Sequence, residues 1–246
     1  GGKPVIDKPP RGTGRAPVET AQKQYCTAGS FGGKMNDCAT SKSDVAEANL
    51  LQTHVKGFPE TDAKVKAGYL ALGTANPREM DKSLAYKGST SDNSNLDNKK
   101  QKAFNYNDSG SLSAITRALE KRVDMIFDKG GRAVRFDEMD TCQDGQCKQA
   151  NFNKVMVDVA NYATKKGMGI IGNNGAYKSD PGLVTSAAAL KTAGIKPMAW
   201  IVENDKDGLR GLRDVWGKDL PIYGITRSES AAKSLLGLLN DVLDFS

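Results

Sequence analysis

From Lys64 onward the chain alternates between short apolar runs and longer amphipathic stretches. The apolar runs are Val65–Leu72, Ala133–Phe136, Met168–Ile171, Met198–Val202 and Pro221–Ile225. Each is short, and most are flanked by Gly, Asn, Asp or Pro, as strands buried on both faces of a parallel sheet are. Weaker strand candidates lie at Ala103–Tyr106 and near Tyr25. Between the runs the apolar spacing becomes helical. Ser111–Asp128 carries Leu112, Ile115, Leu119, Val123 and Ile126 on one stripe. Phe152–Lys165 carries Val155, Val159 and Tyr162 and stops at Gly167, a residue suited to the left-handed turn that closes a helix. Pro181–Ala193 opens on Asp180-Pro181 and ends at Gly194, the usual asymmetry of helix ends. Gly208–Trp216 and Ser228–Val242 complete the series, and Ser43–Val55 reads as a helix capped by Ser43 with Glu47 near the fourth position.

Strand and helix in regular alternation predict βαβ units around a parallel sheet. The expected architecture is a (β/α)8 TIM-like barrel with an irregular N-terminal part. Six or seven units are visible, and an eighth is expected from about the first 60 residues. The 246 residues suit one such barrel, which takes about 250. Residues 1–24, rich in Pro, Gly and Lys, read as an extended arm, and residues 25–246 as a single barrel domain. A doubly wound open sheet is the alternative. It is disfavoured because no Gly-rich phosphate turn follows a strand: Gly12-Thr13-Gly14 precedes them all and Gly29–Gly33 lacks the spacing. The Asn- and Lys-rich stretch Asn93–Asn107 reads as a long excursion of the kind that builds a substrate face.

Charge changes this picture little. Lys and Arg number 35 against 29 Asp and Glu, a net charge of +6. The basic residues are scattered without aromatic interleaving, which reads as solvated helix faces and not as a nucleic-acid footprint. No apolar stretch approaches the roughly 18 residues that would span a bilayer. The Gly1-Gly2-Lys3-Pro4 start reads as a processed or engineered end and does not decide the compartment. The cysteines do more. Cys26 with Cys38 and Cys142 with Cys147 form two local pairs, each closing a Gly-containing loop. This spacing favours two disulfides over a zinc site, for which the first pair has the wrong spacing and no histidine lies near the second. Disulfides imply an oxidising compartment, so the protein is expected to be secreted or extracytoplasmic.

Barrels of this kind hold their chemistry at the C-terminal ends of the strands. After Ala133–Phe136 come Asp137, Glu138 and Asp140; after Met168–Ile171, Asn173 and Asn174; after Met198–Val202, Glu203, Asn204 and Asp205; after Val65–Leu72, Thr74 and Arg78. Strand alternation then sorts them. Val134 and Phe136 suit the helix layer, so Ala133, Arg135 and Asp137 point into the barrel and Glu138 points out. Trp200 faces the helices, which leaves Ala199, Ile201 and Glu203 inward. An inward pair of carboxylates suits glycoside hydrolysis, in which one group protonates the leaving oxygen while the other attacks or activates water. Arg135 beside Asp137 favours the charged form there, so Asp137 is assigned as nucleophile or base and Glu203 as general acid. Structural roles as strand-end caps or ion pairs are the plain alternative. The single His54 falls on the expected Ser43–Val55 helix, away from strand ends, which argues against a Ser-His-Asp or Cys-His arrangement. Asp137, Glu138, Asp140 and Asp144 could instead gather a hard cation, without EF-hand spacing. Tyr69, Tyr106, Trp200 and Tyr223 are candidates for stacking on sugar rings or for the core.

The stretch from Leu112 through Asn174 resembles the endo-α-1,4-polygalactosaminidases of glycoside hydrolase family 114. The matching residues are Phe136-Asp137-Glu138-Met139-Asp140 for a strand ending in an Asp-Asn-x-Asp motif, Phe152-Asn153 at a helix start, and Gly169-Ile170-Ile171-Gly172-Asn173-Asn174 for a Gly-rich strand. Ala199–Glu203 resembles the strand carrying the family's acid/base glutamate, and Gly68-Tyr69-Leu70 through Gly73 and Arg78 resembles an earlier strand and its arginine. Glu138 stands where that motif has Asn; Asp137-Glu138 is also similar to the strand end of the related spherulin-4-like galactosaminogalactan hydrolases. The resemblance implies a barrel hydrolase of a galactosamine-containing exopolysaccharide, with Asp137 as nucleophile and Glu203 as acid/base. Around them Arg135, Glu138, Asp140, Tyr69, Arg78, Asn173, Asn174 and Tyr223 are expected to bind substrate. No cofactor or metal is expected, the partner is a polysaccharide, and the chain is expected to be a monomer. A catalytically silent carbohydrate-binding barrel and a metal-dependent hydrolase are the competing readings.

Overall fold

A computed structural model describes residues 25–26, 34–35, 48–53, 65–75, 81–86, 97–98, 101–143, 145, 147–178, 180–203, 206–217, 220 and 222–226. Its strands are β1 (Tyr25–Cys26), β2 (Lys34–Met35), β3 (Ala48–Thr53), β4 (Val65–Ala71), β5 (Thr74–Ala75), β6 (Asp97–Asn98), β7 (Gln101–Ala103), β8 (Ala133–Asp137), β9 (Gly169–Asn173), β10 (Ala199–Glu203) and β11 (Ile222–Thr226). The helices are α1 (Leu112–Asp128), α2 (Gln149–Lys165), α3 (Ser186–Thr192) and α4 (Lys206–Trp216).

Eight strands form one sheet in the order β1-β11-β10-β9-β8-β4-β3-β2. Every neighbouring pair is parallel except β1 with β11, where Tyr25 faces Thr226 and Cys26 faces Ile225 in antiparallel register. The fold is therefore α/β with a parallel sheet and alternating helices, as expected. The strand expected near Tyr25 is present, but it runs against the others. Among the described residues no ladder joins β1 to β2, the two ends of this order.

The helices cover one face of the sheet. Leu112, Ile115, Leu119, Val123 and Ile126 of α1 are buried against Leu70, Val134 and Phe136 of the strands. Phe152, Val155, Val159 and Ala163 of α2 continue the same core. Each such large side chain contributes about 1.5–3 kcal/mol when fully buried, so this face holds the strands in place. Trp200 is fully buried and lies across β9, where a Cβ on Gly172 would fall 2.4 Å from the indole. Only glycine at 172 allows that approach.

Three expectations are corrected. Ser43–Val55 is not a helix across its length, because Ala48–Thr53 is strand β3, paired with β4 from Leu50↔Val65 to Thr53↔Gly68. Helix propensity is a weak prior, and a sheet ladder overrides it. His54 itself lies outside the described residues. Ala103–Tyr106 does not join the main sheet. Its first residue ends β7 in a small antiparallel sheet with order β5-β7-β6, Phe104 bridges to Ala85, and Tyr106 is in a turn. The helix expected from Pro181 begins only at Ser186, capped by Thr185, whose side chain accepts from the Ala188 N–H at 3.2 Å. Asp180 accepts instead from the Gly182 N–H at 2.8 Å, which holds Pro181 in a turn. The arm 1–24 and the helix expected at Ser228–Val242 lie outside the described residues.

Candidate active site

Side-chain alternation divides the strands as the sequence suggested. Val134, Phe136, Trp200 and Val202 belong to the core under the helices. Ala133, Ala199 and Ile201 are equally buried but stand outside that cluster, on the other face. Arg135, at 6% exposure, shares that inner face. Its guanidinium donates from Nη2 to Oδ1 of Asn173 at 2.7 Å and from Nε at 3.3 Å, and lies 5.8 Å from the centre of the Tyr69 ring. Asn173 is fully buried, and its Nδ2 has no hydrogen-bond partner among the described residues.

Asp137 ends β8 and is half-buried. Its Oδ2 accepts the Tyr69 hydroxyl at 2.6 Å, and its Oδ1 accepts the backbone N–H of Glu138 at 2.8 Å. Burial, followed by the charge of Asp137 and the bond to it, pushes the Tyr69 hydroxyl far above the ordinary tyrosine range. Tyr69 therefore remains a proton donor to Asp137 throughout the range in which a protein works.

Glu138 does not follow strand parity. Its φ of 59° is left-handed, unusual for a residue with a Cβ, and it turns the chain away from β8. The carboxyl folds back onto β5, where the Thr74 hydroxyl lies 2.6 and 2.9 Å from its two oxygens. Burial raises Glu138 to about 7; the Thr74 bond opposes this, and the charges of Asp137 and Asp140 add to it. Space is tight here: a Cβ on Gly73 would fall 2.2 Å from Thr141 Oγ1 and 3.0 Å from Glu138 Oε2.

Glu203 ends β10 and is exposed. Its inward neighbours are Ala199 and Ile201, and one strand, β9, separates β10 from β8. Asn174, the first residue past β9, reaches it twice. Asn174 Nδ2 donates to Glu203 Oε2 at 3.1 Å, and Asn174 Oδ1 accepts the Glu203 backbone N–H at 3.0 Å. Asn174 is also left-handed, with φ 52°.

The remaining sequence candidates are distributed as follows. Asp140 is exposed in the loop after β8, a loop closed by the Cys142–Cys147 disulfide with its Cα atoms 4.7 Å apart. Tyr223 lies on β11 opposite Ile201. Tyr106 and Trp200 are fully buried and belong to the core. Cys26 lies on β1, while Cys38, Arg78, Asp144, Asn204 and Asp205 lie outside the described residues. Among the described residues no group of three or more His, Cys, Asp or Glu is placed to hold a metal ion. One surface residue escaped the sequence reading. Tyr177 is 36% exposed in the loop after β9; an aromatic four residues past a strand end in a Gly-containing loop was the available signal.

The family model of glycoside-hydrolase family GH114 matches residues 15–184. Two solved structures share the fold. The galactosamine complex of Ega3 from Aspergillus fumigatus has a TM-score of 0.51 at 14% identity, over 88% of this chain and 76% of that one. The glycoside hydrolase domain of PelA from Pseudomonas aeruginosa has a TM-score of 0.50 at 14% identity, over 72% of this chain and 76% of that one. No curated protein sequence matches.

Proposed function

The chain belongs to glycoside-hydrolase family GH114 and is a glycoside hydrolase; from that premise we propose that it is a secreted enzyme cleaving a galactosamine-containing exopolysaccharide, with Asp137 as nucleophile and Glu203 as general acid/base. The observation that carries this reading is that the two carboxylates end β8 and β10, parallel strands with only β9 between them. Carboxylates from two strand ends are what glycosidic cleavage requires. Asp137, fixed by the Tyr69 hydroxyl and the Glu138 N–H, attacks the anomeric carbon. Glu203, exposed to water, protonates the departing oxygen and then takes a proton from the water that releases the sugar. The galactosamine bound by Ega3, of like fold, supports an amino sugar as substrate. Tyr177 and Asp140, both exposed in loops after strand ends, suit stacking on a ring and pairing with an amino group. The Cys142–Cys147 disulfide supports an oxidising compartment.

The test is release of reducing ends from a partly deacetylated α-1,4-linked galactosamine polymer. Asp137→Asn is expected to reduce it to background and Glu203→Gln to lower it roughly 10²–10⁴-fold, while circular dichroism shows the fold retained. Normal cleavage by either variant would overturn the assignment.

A further inference from the structure

We infer that Asn174 is a positioning residue that fixes the carboxyl of Glu203 and leaves its Oε1 as the atom that delivers the proton. This inference rests on the reading of Glu203 as general acid/base.

Four hydrogen bonds tie Asn174 to β10. Its backbone N–H donates to the Ile201 carbonyl at 2.9 Å, and its own carbonyl accepts the Trp200 indole N–H at 2.8 Å. Its side chain makes the two bonds to Glu203 already described. Trp200 is fully buried, so the bracket is anchored in the core although Glu203 itself is exposed. The amide orientation is chemically determined. A backbone N–H can only donate, so the atom facing the Glu203 N–H must be the oxygen, and the other, facing Oε2, must be the NH2. An NH2 aimed at Oε2 disfavours a proton on that oxygen. The proton then resides on Oε1, pointing away from Asn174. An exposed glutamate would otherwise sample several rotamers, and fixing one of them is the kind of orientation that raises a catalytic rate.

The left-handed backbone explains why Asn is suited to this position. Asn tolerates φ near +52° better than most side chains, and its side chain is short enough to reach across to the next strand. Glycine tolerates the same φ without strain, which supplies a clean variant.

The experiment measures kcat, KM and pH profiles for Asn174→Gly, Asn174→Asp and Glu203→Gln on the galactosamine polymer and on an aryl α-galactosaminide with a good leaving group. Asn174→Gly is expected to lower kcat on the polymer by about 10- to 100-fold with KM changed less than about two-fold. The loss on the aryl substrate is expected to be smaller, because a good leaving group needs little protonation. Asn174→Asp sets a second carboxylate against Oε2 and is expected to move the basic limb of the profile up by about one pH unit. A raised KM with kcat intact would make Asn174 a direct substrate contact and overturn the inference. So would equal losses on both substrates with an unmoved pH profile, which would indicate a merely structural role. If Glu203→Gln is inactive and Asn174→Gly is fully active, this inference fails alone; if Glu203→Gln keeps full activity, the proposed function fails with it.

Discussion

The ends of β8 and β10 each present one carboxylate, yet they are built differently. Asp137 is half-buried and held by a half-buried tyrosine and by the next residue's backbone. Glu203 is exposed and, among the described residues, held by Asn174 from the neighbouring strand end. A nucleophile has to stay in place, and the two donors to Asp137 suit that task. An acid that must also act as base exchanges protons with the leaving oxygen and with water, so it needs an open side and a light restraint. The contrast between a fixed partner and an accessible one is what the roles proposed for Asp137 and Glu203 call for.

Three expected outcomes would break or sharpen the contrast. The largest concerns leaving groups. Glu203→Gln should lose roughly 10²–10⁴-fold on the polymer and much less on an aryl glycoside with a good leaving group, whereas Asp137→Asn should be inactive on both. Equal behaviour of the two variants in steady-state assays would erase the division of labour. Next, Tyr69→Phe removes one bond to a charged group, so kcat should fall about 10- to 100-fold. A variant at wild-type rate would show that Asp137 does not depend on enclosure.

The smallest effect is on stability. Glu138 is raised from 4.5 to about 7 by burial, so between these values the folded protein holds a proton that the unfolded chain releases. Its contribution is fully present below about pH 4.5 and is lost as pH rises through about 7. Melting temperature should accordingly fall from pH 5 to 8 by about 2–4 °C more in the wild type than in Glu138→Gln. Parallel curves for the two proteins would place the Glu138 carboxyl outside the enclosure.

How much of this was legible varies with the element. β8, β9 and β10 were visible because strands covered on both faces are continuous apolar runs, and parity along Ala133–Asp137 placed Arg135 and Asp137 on the inner face. β3 was misread because Val45, Leu50 and Leu51 carry no distinctive period and the ladder with β4 decided the outcome. Parity ends where the strand does, and two left-handed residues lie immediately beyond, Glu138 and Asn174. Nothing local distinguishes Asn173 from Asn174, yet the first turns into the interior against Arg135 and the second reaches Glu203. The partner in each case comes from a distant part of the chain, so the assignment requires the fold.

The pairing of β1 with β11 bears on how the protein is made. Tyr25–Cys26 meets Ile225–Thr226, so β1 waits for a strand that lies far along the chain. Contacts so distant in sequence slow folding, because the intervening chain must be ordered first. The nascent polypeptide thus keeps one sheet edge unpaired until β11 emerges. Until then the free edge of β10 is a template open to any other extended strand.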